Sequence, residues 1–344
     1  MRILMLVALG TALLTGAASS AASSVLGPGN SYGVYVRVLD APVGSYAGVT
    51  AALPNLLAQA GWQLKASYDV GAGKCAYKAH VYIMTDPAWT AAAVAGGVNA
   101  AFVIPLRVAV YQDELGTHVD LANPQSLART IIGESGYDRA ATDVVDRLRA
   151  ALAKLPGTAV VVQYGQMRDR GLIGKTMGVV AGGPFGSKVE TLGSVKAGAQ
   201  LGVAEVSEAL AAAARVPSTR WGLNAVYRVD LPGGKISIVG ISGAKMETKA
   251  FAIVGSGGVD SRSEYACPGL DHAAAFPIEV VVVHDGAEIR VLAIDAMFRM
   301  KMYFEDAGTM KFAANMAMPG SIEDEIRDLV ADALDTLRGR IASR

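Results

Sequence analysis

An excess of charge of either sign is the first thing missing from this chain. Lys and Arg total 31, Asp and Glu total 31, and the formal net charge at neutral pH is zero. That balance removes the electrostatic case for nucleic acid or an anionic membrane surface as partner. Cysteine is nearly absent: Cys75 and Cys267 stand alone in 344 residues. Neither is near the N-terminal apolar run, which argues against a lipid-anchored lipoprotein. The four histidines, His80, His118, His272 and His284, lack the close spacing of a zinc site. No GxGxxG follows a strand-like segment. Gly255-Ser256-Gly257-Gly258 follows a helix-like one, where Gly is a stop signal. A doubly wound nucleotide-binding fold is therefore disfavoured. No Ser-His-Asp order, carboxylate pair or phosphate loop stands out, so no catalytic residue is assigned. Beyond the N-terminus, the one long apolar stretch, Ala91–Leu106, is broken by Gly96-Gly97, Asn99 and Pro105. It reads as buried globular sequence and not as a membrane helix.

What is present begins with a targeting segment. Arg2, the apolar run Ile3–Leu14 and the small residues Gly16-Ala17-Ala18-Ser19-Ser20-Ala21-Ala22 have the order of a secretory signal peptide. Residues 1–22 are expected to be removed after Ala21 or Ala22, leaving a periplasmic or secreted protein. The remainder, rich in apolar residues (52% of the whole chain) and poor in charge (18%), can bury substantial cores. Its length suits about two domains.

One pattern occurs twice. Trp62-Gln63-Leu64-Lys65-Ala66-Ser67-Tyr68-Asp69-Val70 returns as Trp221-Gly222-Leu223-Asn224-Ala225-Val226-Tyr227-Arg228-Val229, with Trp, Leu, Ala, Tyr and Val at the same alternate positions. Period-two alternation marks a strand with one buried face, and a repeat of this kind marks one fold written twice. The first copy, residues 31–155, reads as strands at Tyr32–Val38, Trp62–Val70 and Ala79–Met84. A fourth strand within Ala100–Tyr111 is returned by Thr117–Leu121. Helices are expected at Tyr46–Ala60, from Asp86-Pro87 through Val94, and at Tyr137–Leu155. Pro156-Gly157 is the expected junction. The second copy, residues 156–344, takes Thr158–Tyr164 as its first strand and carries a Gly-rich insertion near residues 165–200. Its last helix is expected to be capped by Ser321, with Asp324 at the capping-box position. The fold class is α+β: two tandem copies of a small domain, each an antiparallel or mixed sheet covered by helices.

Several motifs resemble the DUF302 family, a domain of unknown function. They are Trp62–Val70, Met84-Thr85-Asp86-Pro87, Ile104-Pro105-Leu106-Arg107-Val108 and Leu121-Ala122-Asn123-Pro124. The run Met297-Phe298-Arg299-Met300-Lys301-Met302-Tyr303-Phe304-Glu305-Asp306 is similar to a segment of the family's exported two-copy members. The resemblance implies a small α+β domain that tends to pair with itself, so a fused double copy would hold both halves of the pair. Many members carry Cys-Asn-Pro where this chain has Thr85-Asp86-Pro87, and Leu-Pro-Cys where it has Ile104-Pro105-Leu106. The second copy has Ser242-Gly243-Ala244 and Phe276-Pro277-Ile278 there. Any thiol chemistry of the family lacks its residues here.

The remaining candidates stay open at this level. Cys75 and Cys267 either form one inter-domain disulfide or remain two buried thiols. Met297, Met300 and Met302 open a Met-rich segment, 297–318, whose thioethers either fill a core or hold Cu(I). Trp62, Tyr68, Trp221 and Tyr227 either pack in cores or line a pocket between the copies. The leading expectation is an exported soluble binding or interaction module without evident catalysis. The alternatives are an enzyme with a site between the copies, and a Cu(I) or haem carrier using segment 297–318. The sequence specifies neither the cofactor, nor the small-molecule or protein partner, nor self-association beyond the pair within the chain.

Overall fold

The computed structural model describes residues 31–133, 135–165, 168–169, 185–199, 201–257, 267, 269–308 and 314–342. The expected signal peptide, 1–22, lies outside the described residues, as does much of the 165–200 stretch. In chain order the first half holds β1 (Ser31–Tyr32), β2 (Tyr35–Ala41), α1 (Tyr46–Gln59), β3 (Gln63–Asp69), β4 (Ala79–Thr85), α2 (Pro87–Val94), β5 (Leu106–Gln112), β6 (Thr117–Ala122), α3 (Pro124–Ile131), α4 (Asp138–Leu152), β7 (Thr158–Tyr164) and β8 (Arg168–Asp169). There follow β9 (Val189–Lys196), α5 (Val203–Ala213), β10 (Asn224–Asp230), β11 (Ile236–Ser242), α6 (Ala244–Gly257), β12 (Ile278–Asp285), β13 (Glu288–Ile294), α7 (Ala296–Phe304) and α8 (Ala317–Ala342). The fold is α+β. No helix among the described residues is long and apolar enough to cross a membrane.

Two sheets carry the architecture. One runs β3-β4-β5-β6-β2-β7, the other β10-β11-β12-β13-β9, and every pairing is antiparallel. Without β7 the two orders are the same, element for element. Even the irregularities recur. A bulge at Lys65 in β3 is matched by one at Val226 in β10, and a bulge at Val38 in β2 by one at Leu192 in β9. An extra residue at the same place in both sheets bends both in the same way.

Three expectations are corrected here. Thr158–Tyr164 does not start the second sheet. As β7 it pairs with β2, at Tyr35↔Tyr164 and Arg37↔Val162, and extends the first sheet by an edge strand. The counterpart of β2 is β9, within the stretch expected to be an insertion. The repeated strands also align differently from their sequence match. Asp69 pairs with His80 and Asp230 with Ser237, so the bulges and strand ends align Asp69 with Asp230, two residues out of step. Because side chains alternate with period two, such a shift leaves every residue on its original face. Ser321, finally, lies inside α8. Its hydroxyl donates to the Met318 carbonyl at 2.8 Å, so the helix begins a turn earlier. Pro319 falls in that first turn, where a missing N–H costs nothing.

Local sequence explains most element ends. Asp86 caps α2 by accepting from the Ala88 and Trp89 amides, with Pro87 at the first helical position. Asn123 and Asp295 do the same for α3 and α7, which follow β6 and β13. Gly61 ends α1 with φ +86°, a conformation other residues rarely adopt. In α4, Val144, Val145, Leu148 and Leu152 form the buried stripe.

Each half is sandwiched. Its own helices cover one face of the sheet, and the other face meets the opposite half. The exchange is reciprocal: the 3-10 segment Leu270–Ala275 of the second half lies across β4, β5 and β6, and Val98–Phe102 of the first lies against β11 and β12. The repeated strands β3 and β10 run beside each other at this junction. A loop is clasped there as well. The Gly71 amide donates to Glu247 at 2.6 Å, and the Gly71 carbonyl accepts from Thr248 at 2.8 Å. A Cβ at Gly71 would lie 2.3 Å from the Ala244 carbonyl oxygen, so only glycine fits.

Candidate functional site

Two features have functional potential: a polar seam between the halves and an apolar cavity within the second.

The seam starts from two charges set in aliphatic strands. Arg107 sits in β5 between Leu106 and Val108, and Glu279 in β12 between Ile278 and Val280. They occupy equivalent places, since Arg107 pairs with Ile83 in β4 and Glu279 with Gly240 in β11. Facing one another across the junction, they form an ion pair with both side chains 1% exposed. Burial works against the Arg107 charge, but the Glu279 carboxylate and the Tyr303 hydroxyl together outweigh it and raise the guanidinium's pKa. Arg107 also donates to the Tyr303 hydroxyl, and Tyr35 donates to the Tyr303 carbonyl at 2.9 Å. A second guanidinium, that of Arg299 in α7, lies 4.8 Å from the centre of the Tyr303 ring, and that of Arg107 lies 4.9 Å from it. Arg299 donates through Nη2 to the Ala275 and Pro277 carbonyls. Its distance to Glu279 is 3.9 Å.

Farther along the seam His272 is completely buried. Asp271 lies 2.7 Å from its Nδ1 and Asp306 3.0 Å from its Nε2, with the Phe304 ring stacked beneath and Tyr35 edge-on. Burial alone would lower the imidazole's pKa. The Asp306 and Asp271 carboxylates overcome it and hold the ring protonated to about 9. Asp120 on β6 is also shifted upward, by burial, which raises its carboxyl to about 8. The Tyr164 hydroxyl lies within hydrogen-bond reach of the Asp120 carboxyl and of the Asp271 carbonyl, both acceptors for its proton, and joins the halves. These groups can hold and move protons, but within a dry interior where they partner one another.

The cavity lies between the second sheet and its helices α6, α7 and α8, with a volume of about 80 Å³. Met246, Ile253, Phe276, Met300, Phe304 and Ile322 form much of its wall, and Arg299 and Glu323 are the charged residues that line it. The first half explains why it exists. Counting from Thr85 and Ser242, which close β4 and β11, Trp89 in α2 occupies the place of Met246 in α6. Trp89 is buried and donates through Nε1 to the Val103 carbonyl at 2.9 Å, filling its half. A methionine there leaves room.

The candidates read from sequence are dispersed. The α7 helix puts Met300 at the cavity, Met302 in the core at 1% exposure, and Met297 half-buried one turn away. Trp62 and Tyr227 are buried, whereas Tyr68 and Trp221 are half-buried. Cys75 and Cys267 are joined by a disulfide, with Cα atoms 5.7 Å apart, tying the loop after β3 to the segment after α6. The oxygens of Glu190, Asp295 and Glu323 lie within 4.8 Å of one another, a spacing that would suit a cation. Protein donors occupy them: Arg327 bonds Glu190 at 3.1 Å and Glu323 at 2.7 Å, and Asp295 caps α7. Arg107, Glu279, His272, Asp306 and Arg299 were missed as a group. The available signal was a lone charge inside each of two aliphatic strands, which is costly unless paired.

Residues 42–155 match the family described as "Domain of unknown function DUF302". That stretch spans α1 to α4 with β3 to β6. A solved structure, the uncharacterized conserved protein DUF302 from Bacillus stearothermophilus, is 16% identical, with 34% of this chain and 95% of that one covered, at a TM-score of 0.31. So slight a likeness carries no argument by itself. No curated protein matches. Within its first half, then, at residues 42–155, the chain carries a domain of the DUF302 family.

Proposed function

We propose that this is an exported binding module, a pair of DUF302-like halves in one chain, whose second half takes up a small, mainly apolar molecule. The observation that carries the reading is the cavity at Met246, in the place that Trp89 fills in the first half. An apolar wall with few polar groups is the usual make-up of a small-molecule site. Thioethers adapt to varied ligand shapes. The common strand order and the matching bulges support the two-copy reading, with β9 to β13 as the second copy. Arg2, Ile3–Leu14 and the following Ala/Ser run support export.

Methionine methyl NMR tests the binding. In protein labelled at the methionine methyls, hexan-1-ol should shift the Met246, Met300 and Met318 signals saturably, because all three line the cavity. Met246→Trp should abolish the shifts. Methyls that do not respond, or that respond equally in Met246→Trp, would remove the reading.

A further inference from the structure

The cavity reading leaves open what end group a ligand would carry. We propose that the ligand is an apolar molecule ending in a carboxylate, and that Arg299 is the residue that binds that end. This rests on the apolar-cavity reading and adds the chemistry of the anchor.

Charge in the seam is unevenly matched. Two guanidiniums, Arg107 and Arg299, are buried around a single carboxylate, Glu279. The sharing is unequal. Arg107 has the direct contact with Glu279 Oε1, whereas Arg299 stands 3.9 Å from Glu279 Oε2, beyond hydrogen-bond distance. Arg107, itself a cation, shares the Tyr303 ring with Arg299, and the groups that Arg299 contacts directly are neutral: the Ala275 and Pro277 carbonyls at Nη2 and the rings of Tyr303 and Phe276. Its Nε, buried, has no hydrogen-bond partner among the described residues. Burial is the largest influence on Arg299 and lowers its pKa, as expected of a cation short of a counter-charge.

Buried charges in folded proteins are ordinarily paired, because an unpaired one forgoes its hydration. Arg299 is the member of this trio that also lines the cavity. An acid end group at that wall would give it a full partner, and guanidinium forks fit carboxylates in bidentate fashion. The first half has no such position. Counting from the caps Asn123 and Asp295, Leu127 stands in α3 where Arg299 stands in α7. Both the room and the charge therefore belong to the second half alone.

The test compares hexanoate with hexan-1-ol, which share an apolar chain, by calorimetry and methionine methyl NMR at pH 7. Hexanoate should bind about tenfold or more tightly than the alcohol, the usual scale for a hydrogen-bonded charge partner. Arg299→Gln should erase the preference of the cavity for hexanoate over hexan-1-ol. Arg299→Lys, which keeps the charge, should retain part of it. Equal or tighter binding of the alcohol to the unaltered protein would overturn the acid anchor and leave the apolar cavity standing. Saturable binding of neither probe would overturn both. Should Arg299→Gln not fold, the two probes on the unaltered protein decide the matter.

Discussion

Replacing Glu279 by Gln tests whether the seam is held by charge or only by shape. The side chain keeps its size, and its amide oxygen can still accept from Arg107, so packing is nearly unchanged. What disappears is the carboxylate between two buried guanidiniums. Breaking a buried ion pair from one side costs about 3–5 kcal/mol, because the partner charge stays behind without hydration. Two such charges are left here, so the upper half of that range is expected. An internal standard exists on the surface: Arg338 and Asp335 in α8 lie 2.7 Å apart with side chains 56% and 71% exposed. Asp335→Asn should cost about 0–1 kcal/mol. Urea unfolding at pH 7 compares the two variants in one protein. The double variant Arg107→Leu with Glu279→Leu should recover part of the loss, since only Arg299 then lacks a partner. A Glu279→Gln loss no greater than that of Asp335→Asn would show that the seam does not depend on its charges.

The halves should also respond to pH together. His272 titrates at about 9 in the fold against an ordinary 6.5, so its stabilisation is complete below pH 6.5 and is lost as pH rises through 9. Asp120, at about 8 against 3.8, works in the same direction over its own range. Urea midpoints should fall between pH 6.5 and 9, and His272→Gln should flatten the slope; an unchanged slope would refute the assignment. Trp62→Ala should cost about 3–5 kcal/mol and lower one cooperative transition, because the strand after Trp62 lies beside β10; two separated transitions, only one affected, would show independent halves. Thiol counting on denatured, unreduced protein should find no free thiol, and Cys267→Ser should cost up to about 5 kcal/mol for a bridge across 192 residues; two free thiols would refute the bond. The mature chain should begin near Ala22 or Ser23, and N-terminal sequencing of exported protein that returned Met1 would exclude cleavage.

Elements set by local patterns were legible in the sequence. The apolar stripe of α4, the Asp86-Pro87 start of α2 and the hairpin that joins β5 to β6 all rest on neighbours within a few residues. Pairing was less legible. A strand such as Thr158–Tyr164 shows its alternation but not which sheet it joins. The repeat was likewise readable to its face and not to its register, because period-two patterns survive a shift of two. The site depended on contacts between distant residues. Arg107 and Glu279 are 172 residues apart, and Asp306 is 34 from His272. A cavity leaves no motif, and the contrast of Trp89 with Met246 has meaning only in the register that the strand pairing sets.

The equivalence of Arg107 and Glu279 reaches further than stability. In a dimer of two identical chains, a residue on the two-fold axis must face its own twin, so an arginine there would meet an arginine. Opposite charges can stand at that position only if the partners differ, and joining them in one chain lets them differ. The same asymmetry discourages misassembly. A first half that opened and paired with the first half of another molecule would bury two guanidiniums against each other, and two second halves would bury two carboxylates. Each half is thus matched to the other and mismatched to itself, which favours closure within one molecule over exchange between molecules.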